Sequence, residues 1–155
     1  MPKVIVLRGT PGSGKSSWCK KEYPCAIVCS ADQYFLDDCE NYKFDRTLLD
    51  KAHSRCLHKF IWAIDSIGKA RSQYPDSVVI VDNTNAFPLE MAPYIAVAKA
   101  YDLEVEIIRF NCSIKTSIDR NIHNVPEETI VRMWQKLQKK QFPSWWPKET
   151  IIDTD

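Results

Sequence analysis

Three of the four glycines in this 155-residue chain fall within six positions near its N-terminus. They lie in the segment Gly9-Thr10-Pro11-Gly12-Ser13-Gly14-Lys15-Ser16, which has the spacing G-x-x-x-x-G-K-S/T. An apolar, β-branched run precedes the segment and a helical pattern follows it. Glycine lets the backbone turn tightly and point several N–H groups at one anion. The segment therefore predicts a strand, a phosphate-binding loop and a helix, and it restricts the fold to the α/β class.

Four apolar runs have the length and composition of buried strands, at residues 4–7, 26–29, 78–81 and 105–110. Amphipathic helical patterns lie between or after them, at residues 45–69, 89–101, 113–123 and 127–140. This alternation predicts βαβ crossovers, which place parallel strands in a sheet that is covered on both faces. We therefore predict an α/β, three-layer P-loop NTPase fold with a mostly parallel sheet of four to five strands and a helical lid.

The chain has the length of one ordinary domain, so residues 1–155 are assigned to a single domain. Within it we expect a lid at about residues 118–127 and a basic, aromatic C-terminal tail at residues 132–155. The last dozen residues show no strong pattern and are expected to be loosely attached. The prolines and tryptophans of residues 142–147 nevertheless indicate a segment that packs back onto the domain.

The composition, with 45% hydrophobic and 26% charged residues, is typical of folded water-soluble proteins and argues against disorder or a membrane partner. A formal net charge of +1 gives no argument for wholesale binding to nucleic acid. No signal peptide is apparent, so the six cysteines are interpreted as reduced thiols of a cytoplasmic protein. The oligomeric state is left open by the sequence.

The motif at residues 9–16 predicts a site for ATP and Mg²⁺. In such a loop Lys15 reaches the β- and γ-phosphates and the Ser16 hydroxyl ligates the metal. The nucleotide-binding candidates are Gly12, Ser13, Gly14, Lys15, Ser16 and Ser17. Asp82 follows the apolar run 78–81 and is the candidate carboxylate for the metal or its water. Alternatively, Asp82 caps the turn that follows it, because Asp-Asn-Thr-Asn is also typical of turns.

Phosphate transfer to an alcohol needs a base as well as a phosphate loop. Asp32 comes shortly after the second strand, and the carboxyl ends of neighbouring parallel strands share one ligand crevice. We therefore predict that Asp32 stands opposite the γ-phosphate. Alternatively, Ser30 or Asp32 caps the short segment 33–37, because both residue types are good helix caps.

Several segments together resemble the polynucleotide-kinase and zeta-toxin-like P-loop kinases, over about residues 3–138. The segments that carry the resemblance are Gly9–Ser16, Ser30–Asp32, Tyr42-x-Phe44 before Ala52-His53, Val81–Asn85, Glu90–Tyr94 and Arg120–Pro126. The likeness is greatest to a small branch with Asp-Asn-Thr-Asn and Arg-Asn-x-His motifs. That branch includes phage DNA kinases, which act in the host cytoplasm, and kinase domains attached to ubiquitin-ligase-binding proteins.

The resemblance implies transfer of the ATP γ-phosphate to an alcohol, with Asp32 as general base and Lys15 and Ser16 as nucleotide and Mg²⁺ ligands. It also implies a catalytic lid arginine at Arg120. Phe35 departs from the family pattern, because phage polynucleotide kinase carries a phosphate-gripping arginine three residues after the base. This departure opens the choice of acceptor to hydroxyls other than a 5′-end beside a phosphate.

The candidate substrate contacts are Phe35, Asn83, Asn85, His123 and Arg132. Arg120 and His123 are three residues apart, so on a helix they would share one face. An arginine there has the planar fork that holds two phosphate oxygens. The alternatives are a surface ion pair of Arg120 with Asp119 or Glu127, and a carbonyl contact of His123 at a helix end.

Charge is distributed unevenly along the chain. Residues 32–50 hold six acids and two bases, whereas residues 132–148 hold five bases and no acid. The basic residues of the last helix are Arg132, Lys136, Lys139 and Lys140. They are either a solvated face or a surface that follows a phosphate backbone, with Trp145 or Trp146 available to stack on a base, to clamp adenine or to fill the core.

The sequence thus favours a kinase that acts on a hydroxyl of nucleic acid, with DNA preferred to RNA. That hydroxyl is a 5′-end or the hydroxymethyl group of a modified pyrimidine such as 5-hydroxymethyluracil. A small-molecule kinase for a nucleoside or sugar is the first alternative. A nucleotide-binding ATPase that transfers no phosphate is the second.

Overall fold

The predicted fold class is confirmed in the computed structural model, which describes residues 1–139 and 142–155. The described residues form one five-stranded sheet in which every neighbouring pair is parallel, in the order β2-β3-β1-β4-β5. The strands are β1 (Lys3–Arg8), β2 (Ile27–Cys29), β3 (Val78–Asp82), β4 (Glu104–Asn111) and β5 (Glu149–Asp153). The α-helices are α1 (Lys15–Glu22), α2 (Leu49–Lys69), α3 (Pro88–Ala100), α4 (Ile114–Asp119) and α5 (Glu127–Leu137).

The central strand β1 is buried on both faces, which explains its continuous apolar sequence. Val4 and Val6 pack into a core with α2 and α3, whereas Ile5 and Leu7 pack into a second core with Cys19 of α1. Successive residues of a strand point to opposite faces of the sheet. The sheet is therefore the middle of three layers, as predicted.

The carboxyl ends of the strands meet at one edge of the sheet. β1 runs into the glycine-rich loop, β3 ends at Asp82, and β2 leads into a 3₁₀ helix at Ala31–Phe35. Crossovers of a parallel sheet bring such strand ends together whatever their distance along the chain. The predicted phosphate loop, metal carboxylate and base consequently lie along the same edge.

The predicted helices are present, with different ends. α3 agrees with prediction to within one residue at each end. α2 begins at Leu49 rather than at residue 45, because the Asp45 carboxylate accepts a hydrogen bond from the Thr47 N–H at 2.9 Å and caps a separate 3₁₀ turn. α5 ends at Leu137, and the predicted final residue Lys140 lies outside the described residues.

The prediction of a helix over residues 113–123 is confirmed in its first half and wrong in its second half. α4 ends at Asp119, and the chain from Asn121 to Pro126 is not helical. The Asn121 side chain explains the change of direction, because its amide donates to the Val125 carbonyl at 2.7 Å and accepts from the Val125 N–H at 3.2 Å. These local bonds compete with those of a helix and hold the segment as a loop.

The expectation of a loosely attached C-terminus is also wrong. Residues Glu149–Asp153 form β5, which pairs with β4 from Ile107 to Asn111. Glu149 accepts hydrogen bonds from two arginines, Arg8 and Arg109, whose side chains are 1% and 7% exposed. The predicted packing of residues 142–147 is confirmed, because Trp146 is buried in the α2–α3 core and Phe142 packs against it.

Among the described residues, no helix combines the length and the apolar character that a membrane crossing requires.

We expect Glu149→Ala to lower the free energy of unfolding by about 3–5 kcal/mol, because it leaves two buried guanidinium groups without their carboxylate. Urea unfolding followed by circular dichroism measures the change. Glu104→Ala, at an exposed position at the start of β4, is the matched control and should shift stability by less than about 0.5 kcal/mol. Similar small losses in both variants would contradict the role given to Glu149.

Candidate functional site

The loop at residues 9–14 has a backbone that only glycine adopts readily. Gly12 and Gly14 have φ values of +77° and +94°, in the left-handed region that other residues avoid. A Cβ atom on Gly12 would lie 2.8 Å from the Ser117 carbonyl oxygen and 2.9 Å from the Arg120 Cβ. These two glycines therefore allow the loop to turn and to lie directly against the end of α4.

Two side chains hold this loop from outside. The Ser117 hydroxyl of α4 donates to the Pro11 carbonyl, and the Thr154 hydroxyl donates to the Ser13 carbonyl at 2.8 Å. In both bonds the loop contributes a carbonyl oxygen, so neither bond occupies a loop N–H group. Sequence reasoning missed both residues, because their partners lie more than 100 positions away along the chain.

Lys15 lies under the loop and is 8% exposed. Its ammonium group donates to the carbonyl oxygens of Gly9 at 2.9 Å and Thr10 at 3.0 Å. Burial lowers the pKa of Lys15, while the negative charges of Asp82 and Asp32 act in the opposite direction. Both predicted carboxylates therefore favour the charged form of Lys15.

The Ser16 hydroxyl donates to the Asp82 carboxylate at 2.7 Å. A hydroxyl and a carboxylate oxygen are the kinds of ligand that Mg²⁺ takes in P-loop proteins. The residues present therefore fit a nucleotide-bound Mg²⁺ at this point of the sheet edge. Among the described residues, the side-chain bond of Asp82 goes to Ser16 and not to the turn that follows β3, which favours the metal interpretation over the capping one.

Asp32 lies in the short 3₁₀ helix Ala31–Phe35, with an exposed side chain. The cap of this helix is Ser30, whose hydroxyl oxygen accepts from the Asp32 N–H at 3.2 Å. The Asp32 carboxylate is therefore not used as a cap. Its Oδ1 atom accepts a hydrogen bond from the Tyr42 hydroxyl at 3.1 Å, and burial together with the charge of Asp32 raises the pKa of Tyr42.

Asn83 and Asn85, which stay predictions as substrate contacts, both make hydrogen bonds within the chain. Asn83 is 9% exposed, and its side-chain oxygen accepts from the Ala31 N–H at 2.8 Å. Asn85 is 2% exposed, has φ of 46°, and donates to the Leu7 carbonyl at 2.7 Å. Asn83 thereby fixes the 3₁₀ helix that carries Asp32 against the end of β3.

Phe35 was also a predicted substrate contact, but it is 5% exposed and packs edge-on against Tyr42 and Phe44. Phe35 therefore supports Tyr42 and Phe44, which lie beside Asp32. Tyr42 was missed as a site residue, although the spacing Tyr42-x-Phe44 was among the segments of the family resemblance. Its contact with Asp32 spans ten positions through an irregular turn, which no helical or strand period predicts.

Arg120 and His123 do not share a helix, and each contacts a different part of the site. Arg120 follows α4 and lies against Gly12, and its guanidinium donates to the Thr154 carbonyl at 3.0 Å. No ion pair of Arg120 with an acid is found among the described residues. The His123 ring lies 4.2 Å from the Tyr42 ring, measured between centroids.

The basic residues of α5 are placed separately from these groups. Arg132 and Lys139 are exposed, and the Lys136 ammonium lies 5.5 Å from the centre of the Phe87 ring. The predicted fourth member, Lys140, is outside the described residues. α5 directly follows residues 120–126, which we call the lid loop after the predicted lid, and its first turn carries the exposed acids Glu127 and Glu128.

The two tryptophans of the tail are not placed to stack on a base at the phosphate loop. Trp145 accepts through its carbonyl from Lys99 at 3.1 Å, near the end of α3. α3 begins at the carboxyl edge and returns to the amino edge, so Lys99 and Trp145 lie on the far side from the phosphate loop. Trp146 is 9% exposed and fills the core, which was one of the alternatives for these residues.

Comparison with known proteins agrees with this arrangement. Residues 4–139 match the AAA domain family. Human NEDD4-binding protein 2 is 32% identical over 143 residues, and the match covers 88% of this chain but only 8% of the human protein's length.

Two solved structures share the fold. The APS kinase CysC of Mycobacterium tuberculosis, in complex with AMPPNP and APS, superimposes with a TM-score of 0.58 at 14% identity, over 99% of this chain and 89% of that one. The Pnkp1/Rnl/Hen1 complex gives a TM-score of 0.57 at 17% identity, over 81% of this chain and 40% of the matched chain. The chain therefore belongs to the AAA domain family and has the fold of P-loop kinases.

Proposed function

We propose that this protein transfers the γ-phosphate of ATP to an alcohol group of a nucleic acid, with Asp32 as the general base. The observation that carries the proposal is the exposed carboxylate of Asp32 on the same sheet edge as Lys15 and Asp82. The strand order β2-β3-β1 sets the base, the metal carboxylate and the phosphate loop in sequence along that edge. Hydrolysis needs only a residue that orients water, whereas this order provides a base for an acceptor hydroxyl.

Each residue has a defined part in this reaction. Asp32 Oδ2 accepts the proton of the acceptor hydroxyl while Oδ1 stays bonded to Tyr42. The acceptor oxygen forms the new bond to the γ-phosphorus as the bond to the leaving ADP oxygen breaks. Lys15 and Arg120 supply positive charge to the phosphoryl oxygens, on which charge is spread in the transition state.

Ser16 and Asp82 hold Mg²⁺ at the phosphates in this proposal. The ion, when bound, neutralises charge on the β- and γ-phosphate oxygens. The Ser16–Asp82 hydrogen bond places the two oxygens 2.7 Å apart, close enough for both to be ligands of one ion. Little reorganisation of the protein is then needed to form the site.

The nucleic-acid acceptor is supported by three basic residues within α5 and just after it, Arg132, Lys136 and Lys139, of which Arg132 and Lys139 are exposed. These cations lie beyond the acidic first turn of α5 and give a phosphate backbone a surface to follow. The family resemblance to phage DNA kinases favours DNA, through a 5′-hydroxyl or the hydroxymethyl group of a modified pyrimidine.

A small-molecule acceptor is the second candidate, and one observation favours it. The segment that carries Asp32 is acidic, with six acids against two bases between residues 32 and 50. This excess of negative charge repels a phosphate near the base. The similar APS kinase structure, which holds AMPPNP and APS, is compatible with a small acceptor on this fold.

We expect Asp32→Asn to lower phosphate transfer by about 100- to 10,000-fold, because the amide cannot accept the acceptor proton. ATP affinity should stay within about twofold, since Asp32 contacts the acceptor rather than the nucleotide. Transfer is measured with γ-labelled ATP and oligonucleotide acceptors, and affinity with a fluorescent ATP analogue. Asp38→Asn, an exposed acid of the same loop, is the matched control. Undiminished ATP turnover in Asp32→Asn would instead support an ATPase that transfers no phosphate.

Ser16→Ala should raise the Mg²⁺ concentration needed for half-maximal transfer by about tenfold or more, because one of two directed oxygen ligands is removed. A titration of activity with Mg²⁺ at saturating ATP tests this. Ser72→Ala, an exposed serine in the turn after α2, serves as control. A fall in maximal rate with an unchanged Mg²⁺ midpoint would argue against the metal role of Ser16.

The two acceptor classes differ in their salt dependence. If α5 follows a phosphate backbone, the double variant Arg132→Gln/Lys139→Gln should weaken oligonucleotide binding. It should also reduce the slope of log affinity against log salt by about one for each phosphate that the protein no longer neutralises. Fluorescence anisotropy at several salt concentrations measures both quantities. Lys20→Gln, on the exposed face of α1, is the control, and an unchanged slope in the double variant would favour the small-molecule candidate.

A further inference from the structure

Four rings form a contiguous group beside Asp32, which we call the ring cluster: Phe35, Tyr42, Phe44 and His123. The Phe35 ring lies 6.0 Å from Tyr42 and 5.1 Å from Phe44, and both contacts are edge-on. The Tyr42 and Phe44 rings are nearly parallel, with 11° between their planes and 6.4 Å between centroids. His123 of the lid loop contacts the Tyr42 ring at 4.2 Å.

The ring cluster is joined to Asp32 by a direct hydrogen bond. The Tyr42 hydroxyl donates to Asp32 Oδ1 at 3.1 Å, so only the length of one phenol ring separates the carboxylate from the ring contacts. A molecule whose hydroxyl reaches Asp32 therefore passes beside these rings. The cluster is part of the acceptor side of the proposed active site, opposite the phosphate loop.

The turn that presents Tyr42 is held by its own hydrogen bonds. Residues Leu36 and Tyr42 form an antiparallel bridge, and the Asp37 carboxylate accepts from the N–H groups of Cys39 at 2.9 Å and Asn41 at 2.8 Å. Packing of Tyr42 against the core with α2 and α3 adds to these bonds. Tyr42 and Phe44 are thus held in place before any acceptor arrives, which lowers the entropy cost of binding.

The rings are also partly open to solvent. Phe44 is 50% exposed, and Leu36 and Ile122, each next in sequence to a cluster residue, are 44% and 82% exposed. Buried Phe35 accounts for local packing, but exposed apolar side chains next to a charged active-site carboxylate contribute little to a core. A group of exposed apolar side chains at a cleft is typical of a ligand-binding surface.

The charges around the cluster determine which kind of ligand fits. Four acids lie on the same loop as the rings, against the two bases Lys43 and Arg46; the acids are Asp37, Asp38, Glu40 and Asp45. A ligand that brought a phosphate among them would be repelled. An uncharged ring that stacks on aromatic side chains gains affinity without approaching these acids.

We propose that the ring cluster binds a planar aromatic ring of the acceptor, stacked on Phe44 or Tyr42, with the acceptor hydroxyl at Asp32. This inference rests on the proposed phosphate transfer and specifies the acceptor as a nucleobase-bearing alcohol. It excludes acceptors without an aromatic ring, such as simple sugars. The cluster recognises the face of the aromatic ring of the acceptor. The basic surface of α5 binds phosphates that lie farther from the acceptor hydroxyl.

Matched acceptors test the proposal with γ-labelled ATP. One pair is a single-stranded DNA oligonucleotide with a 5′-hydroxyl thymidine and the same oligonucleotide with a 5′-terminal abasic tetrahydrofuran residue. The other pair is free 5-hydroxymethyl-2′-deoxyuridine and free 2-deoxyribose. In at least one pair, we expect kcat/KM to be about tenfold or more higher for the acceptor with the aromatic ring.

Substitutions assign that preference to the cluster. Phe44→Ala should lower kcat/KM for the aromatic acceptor by about fivefold or more with KM for ATP unchanged, and Phe44→Trp should retain most of the activity because it keeps a ring. Trp145→Ala, which removes another exposed aromatic residue near the end of α3, away from the phosphate loop, should change neither value. Thermal unfolding of each variant separates loss of binding from loss of folding.

The outcomes distinguish this inference from the proposed function. Transfer at equal efficiency to both members of each pair would overturn the ring cluster as an acceptor site while leaving phosphate transfer intact. A preference for the aromatic acceptor that survives in Phe44→Ala and in Tyr42→Leu would overturn the assignment as well. Absence of transfer to all four acceptors and to DNA that contains 5-hydroxymethyluracil, with ATP still bound, would contradict the proposed function itself.

Discussion

The buried guanidinium of Arg8 is the interaction on which the rest of the site depends. Arg8 is the last residue of β1, immediately before the phosphate loop, and it is 1% exposed. It donates to the carbonyls of Asn85 and Ala86 after β3, and to Glu149 at the start of β5. One side chain therefore connects the start of the glycine-rich loop both to the segment after Asp82 and to the edge strand β5. A buried cation needs all these partners, because each missing one leaves charge without compensation.

Around this centre, the site is assembled from groups that hold one another. Asn83 links the end of β3 to the helix that carries Asp32, and Tyr42 fixes one oxygen of that carboxylate. Ser16 and Asp82 meet directly. Such prior arrangement of charged groups is what electrostatic catalysis requires, because the protein does not have to reorganise during the reaction.

The parts that the sequence predicted well are those set by neighbours along the chain. The glycines of the phosphate loop, the apolar run of β1 and the period of α2 all carry their information locally. Glu149 could not be recognised in the sequence as the start of an edge strand, because its partners Arg8 and Arg109 are 141 and 40 positions away. The sequence also did not indicate the contacts of Asn83 and Asn85 within the chain, since burial by distant segments decides whether an amide faces a ligand or the backbone. Asp32 lies on the predicted sheet edge, although its contact with Tyr42 depends on an irregular turn.

Thr154, the residue directly after β5, contacts two parts of the candidate site. Its hydroxyl bonds the phosphate loop at Ser13, and its carbonyl accepts from Arg120, the proposed lid arginine. Local unfolding at the end of β5 therefore breaks one contact with the phosphate loop and one with Arg120. By thermodynamic linkage, a ligand that stabilises the closed loop also stabilises this strand against local unfolding. Amide hydrogen exchange in β5 becomes a remote measure of nucleotide binding, recorded at residues that touch no phosphate.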